Sequence, residues 1–195
     1  MTKHWFLHRN LEWVYMLLFS SIVSYLCVPV VKKIASWRNI VDNPDDRKIH
    51  KTATALLGGV AVYIAFASAV IITNSYSIEL KGAAIGATII FITGLIDDIV
   101  CLRAGLKLFI QAIAVSVMIY YGVVADFLPD TWWGHILEIT ITFLWVLGIT
   151  NSLNFFDGID GLATGLTVIC SVFLSILAIQ THQQYLMILS IALAG

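Results

Sequence analysis

Residues Ile78–Asp98 read IELKGAAIGATIIFITGLIDD. After Glu79 and Lys81 the segment carries no charge until it ends in two adjacent carboxylates, Asp97 and Asp98. A helix crossing the hydrocarbon core of a bilayer needs roughly 20 mostly apolar residues, and Ile78 to Ile96 supplies them. An aspartate at the centre of such a helix costs about 2.5–3.5 kcal/mol on an insertion scale, so a pair of them marks the return to water. A lipid-spanning helix with acidic groups at one end is the unit from which the rest of the chain is read.

Five further stretches have the same character: Trp13 to Val31, Leu56 to Thr73, Leu106 to Val124, Ile136 to Thr150 and Leu162 to Ile179. A seventh starts at Tyr185 and runs to Gly195. The expected fold is therefore all-α, a polytopic transmembrane helix bundle of about six complete helices and the start of another. No soluble domain boundary is visible, so residues 1–195 are expected to form a single integral-membrane domain. The first apolar run has no small-residue cleavage site before Lys32 and Lys33, which makes it a retained helix rather than a removable signal.

Composition agrees. Hydrophobic residues make up 59% of the 195 positions and charged residues 12%, about half the usual charged share of soluble domains. The net charge of −1 leaves no global field to attract nucleic acid. Cys27, Cys101 and Cys170 are odd in number and far apart, and fit neither a disulfide framework nor a metal-ligand spacing. They are expected to be small packing residues. Gly82 with Gly86, and Gly161 with Gly165, have the small-xxx-small spacing that lets helices approach closely.

Basic residues concentrate in cytoplasmic loops. Lys32, Lys33, Arg38, Arg47, Lys48 and Lys51 lie between helices one and two, and Arg103 and Lys107 between helices three and four. If every helix crosses, these eight of the eleven basic residues share one side, which is then cytoplasmic. Trp132 and Trp133, in the opposite loop Ala125 to His135, suit the interfacial aromatic belt. His4, His8, His135 and His182 are isolated on the outer side and receive no role.

The same crossings bring three polar clusters to the cytoplasmic face: Asp42 to His50, Asp97-Asp98, and Asn154 to Asp160. Adjacent carboxylates repel, so Asp97-Asp98 calls for a raised pKa or a neutralising cation. Magnesium suits the pair because it takes carboxylate oxygens and leaves positions open for phosphate. A solvated helix end or an N-cap for the following helix would explain the pair equally well. Asn151, Asn154, Asp157 and Asp160 recur every three residues and keep to one slowly drifting helical face. Gly158 and Gly161 loosen the chain there, and Asp160 could also cap helix six. Arg47, Lys48 and His50 could grip phosphate, or could simply set topology beside anionic headgroups. Gly58-Gly59 could start helix two, and Lys107, one turn before Gln111, could snorkel.

Three segments carry a family resemblance: DNPDDRKIHKTATALLGG (42–59), GLIDDIVCLRAGLKLFIQ (94–111) and NSLNFFDGIDGLATG (151–165). In order and spacing they resemble the polyprenyl-phosphate N-acetylhexosamine-1-phosphate transferases, which include the phospho-MurNAc-pentapeptide transferase of peptidoglycan synthesis. The resemblance implies transfer of a sugar 1-phosphate from a UDP-amino sugar to undecaprenyl phosphate, with release of UMP, as the first membrane step of an envelope polysaccharide. It implies Mg2+, or Mn2+ in its place, and an active site on the cytoplasmic face of a bacterial inner membrane. By the same match Asp97 and Asp98 are catalytic, and Asp157 with Asp98 holds metal. Asn154, Asp160, Arg47, Lys48, His50 and Lys107 bind substrate, with Asp160 on the uridine side. A homodimer is compatible with this reading.

The Arg47-Lys48-x-His50 pattern looks more like the N-acetylglucosamine branch, so UDP-N-acetylglucosamine is the expected donor. Ala55 stands where relatives carry proline before Gly-Gly. Relatives are also longer, with a further acidic Gly-Asp-x-Gly stretch and a histidine-rich loop, so the chain is expected to be the N-terminal part of a longer transferase. The competing readings are an ion-coupled transporter, which needs carboxylates near mid-helix, and an inactive truncated membrane fragment.

Overall fold

The computed structural model describes residues 3–38, 40–42, 54–55, 57–72, 77–157, 161–181 and 183–195. Among them are seven helices: α1 (Lys3–Trp37), α2 (Gly58–Ile72), α3 (Ile78–Val100), α4 (Ala104–Tyr120), α5 (Trp132–Phe156), α6 (Leu162–Gln180) and α7 (Gln184–Ala194). A two-residue antiparallel pair, β1 (Val41–Asp42) and β2 (Thr54–Ala55), joins the ends of the segment between α1 and α2. The all-helical polytopic bundle read from the sequence is the observed fold.

Four helices are long and apolar enough to cross a membrane: Trp13–Trp37 within α1, and α3, α5 and α6. Their large apolar side chains, such as Tyr25, Ile92, Trp145 and Ile169, are exposed, as lipid-facing groups must be. Two of the six expected spans fall short. α2 has 15 residues and α4 has 17, which at ~1.5 Å per residue is ~22 and ~26 Å. α4 stops at Tyr120 rather than Val124 because the chain turns at Gly122, whose φ of 88° is open to glycine but strained for other residues. α1 continues through Pro29, which a membrane helix tolerates.

The chain divides into two compact units, Met1–Ser75 with Thr164–Gly195, and Tyr76–Ala163. In the first, α1, α2 and α7 pack together. Small residues form their contacts: Ala61, Ala65 and Ala69 of α2, Ser20 of α1 and Ala192 of α7 are buried. Arg47, Lys48 and His50 lie outside the described residues.

The second unit is an α3–α4–α5 array in which α4 packs on both neighbours. Gly82 and Gly86 face α4 so closely that a Cβ on either would overlap the side chains of Tyr121 and Met118. That pair is a packing seam, as its spacing predicts. Gly161 and Gly165 have no such neighbour, and Gly161 instead takes a left-handed φ of 75° between α5 and α6. The cysteines are not core residues either. Cys101 and Cys170 are exposed and Cys27 is half-buried.

Trp132 and Trp133 open α5 rather than lying in the preceding loop. Thr131 caps this start by accepting the Gly134 N–H at 3.1 Å. The loop itself is tied to α5. Phe127 and Leu128 N–H groups donate to Glu138 Oε1 at 2.8 and 2.7 Å, and Ala125 N–H to Thr142 Oγ1 at 3.0 Å. His135, read as isolated, has Nδ1 at 3.8 Å from Glu138 Oε2.

Candidate active site at the shared end of three helices

The C-terminal turns of α3 and α5 and the N-terminal turns of α4 lie at one end of the second unit. Each brings part of a polar cluster there for a local reason. α3 ends because Cys101 adopts the left-handed region, φ 51°, with its N–H donating to Asp97 C=O at 2.8 Å. α4 then starts after Arg103, which makes no side-chain cap. The N-cap role considered for Asp97-Asp98 is therefore not taken, and both residues sit in the last turn of α3.

Asp97 is fully engaged. Its Oδ1 accepts the Leu102 N–H at 3.0 Å, and its Oδ2 meets Lys107 Nζ at 2.6 Å. The two side chains are 22% and 12% exposed, so water does little to weaken the pair. Lys107 thus does not snorkel. It reaches across to α3. Asp98, by contrast, is exposed. Among the charges acting on it, Asp157 on α5 is the strongest, ahead of the adjacent Asp97, while Lys107 opposes them. Carboxylates distant in sequence thus act on one another electrostatically at these helix ends.

α5 extends to Phe156, so Asn151 and Asn154 are helical rather than loop residues, and Asp157 is the C-cap. Between Thr150 and Gly158 no glycine or proline interrupts the helix, which simply carries its polar face into water. Asn154 and Asp157 are exposed. Asn151 points into the unit, and its Nδ2 donates to Gln111 Oε1 at 2.9 Å and to Leu147 C=O at 2.8 Å. Gln111 is buried on α4. The spacing of Gln111 one turn after Lys107, and of Asn151 one turn before Asn154, marks both as polar positions but does not pair them. Asp160 lies outside the described residues.

Asp97, Asp98 and Asp157 against the single ammonium of Lys107 leave two negative charges uncompensated, and one Mg2+ would neutralise them. Asp98 and Asp157 are the pair with free oxygens. Among the described residues no three His, Cys, Asp or Glu side chains converge on one point, so the remaining positions of such an ion would belong to water and phosphate. A hollow of about 540 Å3 at the other end of the unit is lined by Asp126, Asp130, His135 and Glu138. Its lining has no Lys or Arg to meet a phosphate.

Comparison with known proteins follows the same direction. The chain is 30% identical over 189 residues to a probable undecaprenyl-phosphate N-acetylglucosaminyl 1-phosphate transferase of Bacillus subtilis, covering 94% of this chain and 53% of that protein. It is 30% identical over 178 residues to a decaprenyl-phosphate N-acetylglucosaminephosphotransferase of Mycolicibacterium smegmatis, covering 83% and 44%. A phospho-N-acetylmuramoyl-pentapeptide-transferase of Clostridium beijerinckii is 27% identical over 196 residues, covering 91% and 60%. The chain thus spans about half the length of the curated relatives it matches. No solved structure matches it. The family described as glycosyl transferase family 4 matches residues 80–195, which include Asp97, Asp98 and Asp157, and the chain belongs to that family.

Proposed function

We propose that this protein transfers N-acetylglucosamine 1-phosphate from UDP-N-acetylglucosamine to undecaprenyl phosphate on the cytoplasmic face of the membrane. A phosphate oxygen of the lipid attacks the sugar-bearing phosphorus of the donor. The bond from that phosphorus to the oxygen bridging it to the UMP phosphate breaks, UMP leaves, and a lipid pyrophosphate sugar forms. Such a transfer needs positioning and charge neutralisation more than covalent help.

The observation that supports this reading is the Asp97–Lys107 ion pair, with Asp98 and Asp157 repelling one another electrostatically, at one end of an apolar helix array. A lipid phosphate lies at headgroup level, and a soluble donor arrives from water. Helix ends are where the two can meet. In this reading Asp98, the carboxylate without a fixed partner, takes the proton of the acceptor phosphate. Asp97 holds the Lys107 ammonium in place, and Lys107 meets phosphate oxygens. Asn154 and Asp157 line the donor side; Asp160, Arg47, Lys48 and His50, outside the described residues, are substrate-binding candidates by the family resemblance alone. Asp98 and Asp157 would hold Mg2+, which when bound neutralises charge on the donor pyrophosphate.

The test is UMP release from UDP-N-acetylglucosamine with undecaprenyl phosphate, using the intact protein purified in detergent. Release should require Mg2+ or Mn2+, stop with a chelator, and fall at least ~100-fold in D98N and in D157N. UMP release that persists in both variants would overturn the assignment.

A further inference from the structure

α3 carries Asp97 and Asp98, and α5 carries Asn154 and Asp157, yet these two helices share no interface comparable to the one each makes with α4. The gap between Asp98 and Asp157 is therefore set through α4. Two α4 side chains, one helical turn apart, make the polar connections nearest the site. Lys107 reaches α3 through Asp97 Oδ2 at 2.6 Å, and Gln111 reaches α5 through Asn151 Nδ2 at 2.9 Å. Residues i and i+4 share a helix face, so both contacts come from one short surface of α4.

The Gln111–Asn151 bond has the features of a positioning contact. Gln111 is buried, and Asn151 is held further by Leu147 C=O at 2.8 Å. Asn151 precedes Asn154 and Asp157 on the same helical face, so a shift of Asn151 carries both with it. A fixed side-chain amide in an apolar array has few alternative partners, which makes the contact directional as well as attractive.

We propose that Gln111 and Asn151 are positioning residues: their hydrogen bond, with the Asp97–Lys107 pair, forms a bracket on α4 that fixes the separation of Asp98 and Asp157. The inference rests on the proposed function only for its catalytic consequence, because the bracket itself is a statement about helix spacing. Displacement of a reacting group by ~1 Å can cost ~100-fold in rate, and loss of groups that orient metal ligands typically costs ~10–100-fold in metal affinity.

The test pairs a distance with a cation titration. In a C27S/C170S background, spin labels on Cys101 and on F155C, both exposed, report the α3–α5 separation at the site end. Q111A and N151A should each broaden this distance distribution, and Q111A/N151A should broaden it no further than either alone. The exchanged pair Q111N/N151Q should restore it. S116A, which removes an exposed hydroxyl from the same helix, is the control and should leave it unchanged. The Mn2+ concentration for half-maximal UMP release should rise ~10-fold or more in Q111A and return in the exchanged pair. An unchanged distance in Q111A overturns the bracket, and so does a broadened distance with an unchanged cation requirement. If D98N and D157N kept their activity, the transferase reading would fall, while the distance would still judge the bracket.

Discussion

At the scale of single residues, the two adjacent aspartates of α3 have different environments. Asp97 has a partner for each oxygen, whereas Asp98 is exposed and feels the charge of Asp157. Removing one member of a largely buried pair leaves the other uncompensated, at a cost of about 3–5 kcal/mol. K107M should therefore lower the melting temperature of the detergent-solubilised protein more than K107M/D97N does. Equal losses in the two variants would mean that the pair is not stabilised by mutual charge. D98N should leave melting nearly unchanged while abolishing UMP release, because no fixed hydrogen bond is lost.

At the scale of elements, the α3–α4 seam depends on the missing side chains of Gly82 and Gly86. A leucine at Gly86 must displace Met118, and overpacking of this kind costs about 1–3 kcal/mol. G86L should lower the melting temperature and, by separating the helices that carry Asp97 and Lys107, should reduce UMP release. G165L, where a Cβ meets nothing, should do neither. At the other end of α5, Glu138 is 7% exposed at its side chain and satisfies the N–H groups of Phe127 and Leu128. E138A would remove the acceptor of both amides. Hydrogen exchange at Phe127 and Leu128 should accelerate in E138A and much less in E138Q, which keeps an acceptor oxygen. Both elements were legible as helices from their apolar runs. The loop anchor was not, because a lone Glu near a helix start has no pattern that names its partner.

At the scale of the whole molecule, the proposed chemistry requires the site end of the second unit to face the donor's compartment. An impermeant maleimide should reach Cys101 and F155C from the cytoplasmic side and D130C from the other, since Asp130 lies in the loop at the far ends of α4 and α5. Labelling of Cys101 and D130C from one side would rule out the crossing pattern.

The solvent, the helices and the chemical character of their ends follow from the amino-acid order alone. Hydrophobic length and the cost of charge in lipid are local properties, and they alone place Asp97-Asp98 and Asn154–Asp157 at helix termini. The helix bounds were less legible, since Ile136–Thr150 became Trp132–Phe156 once polar residues at both ends joined the helix. Side-chain pairing, by contrast, is set by how the helices pack. That Lys107 takes Asp97, that Gln111 takes Asn151, and that Asp98 is left under the charge of Asp157 depends on which helix faces meet. Helical spacing gives the face on which a residue sits, but packing against a neighbour chooses its partner.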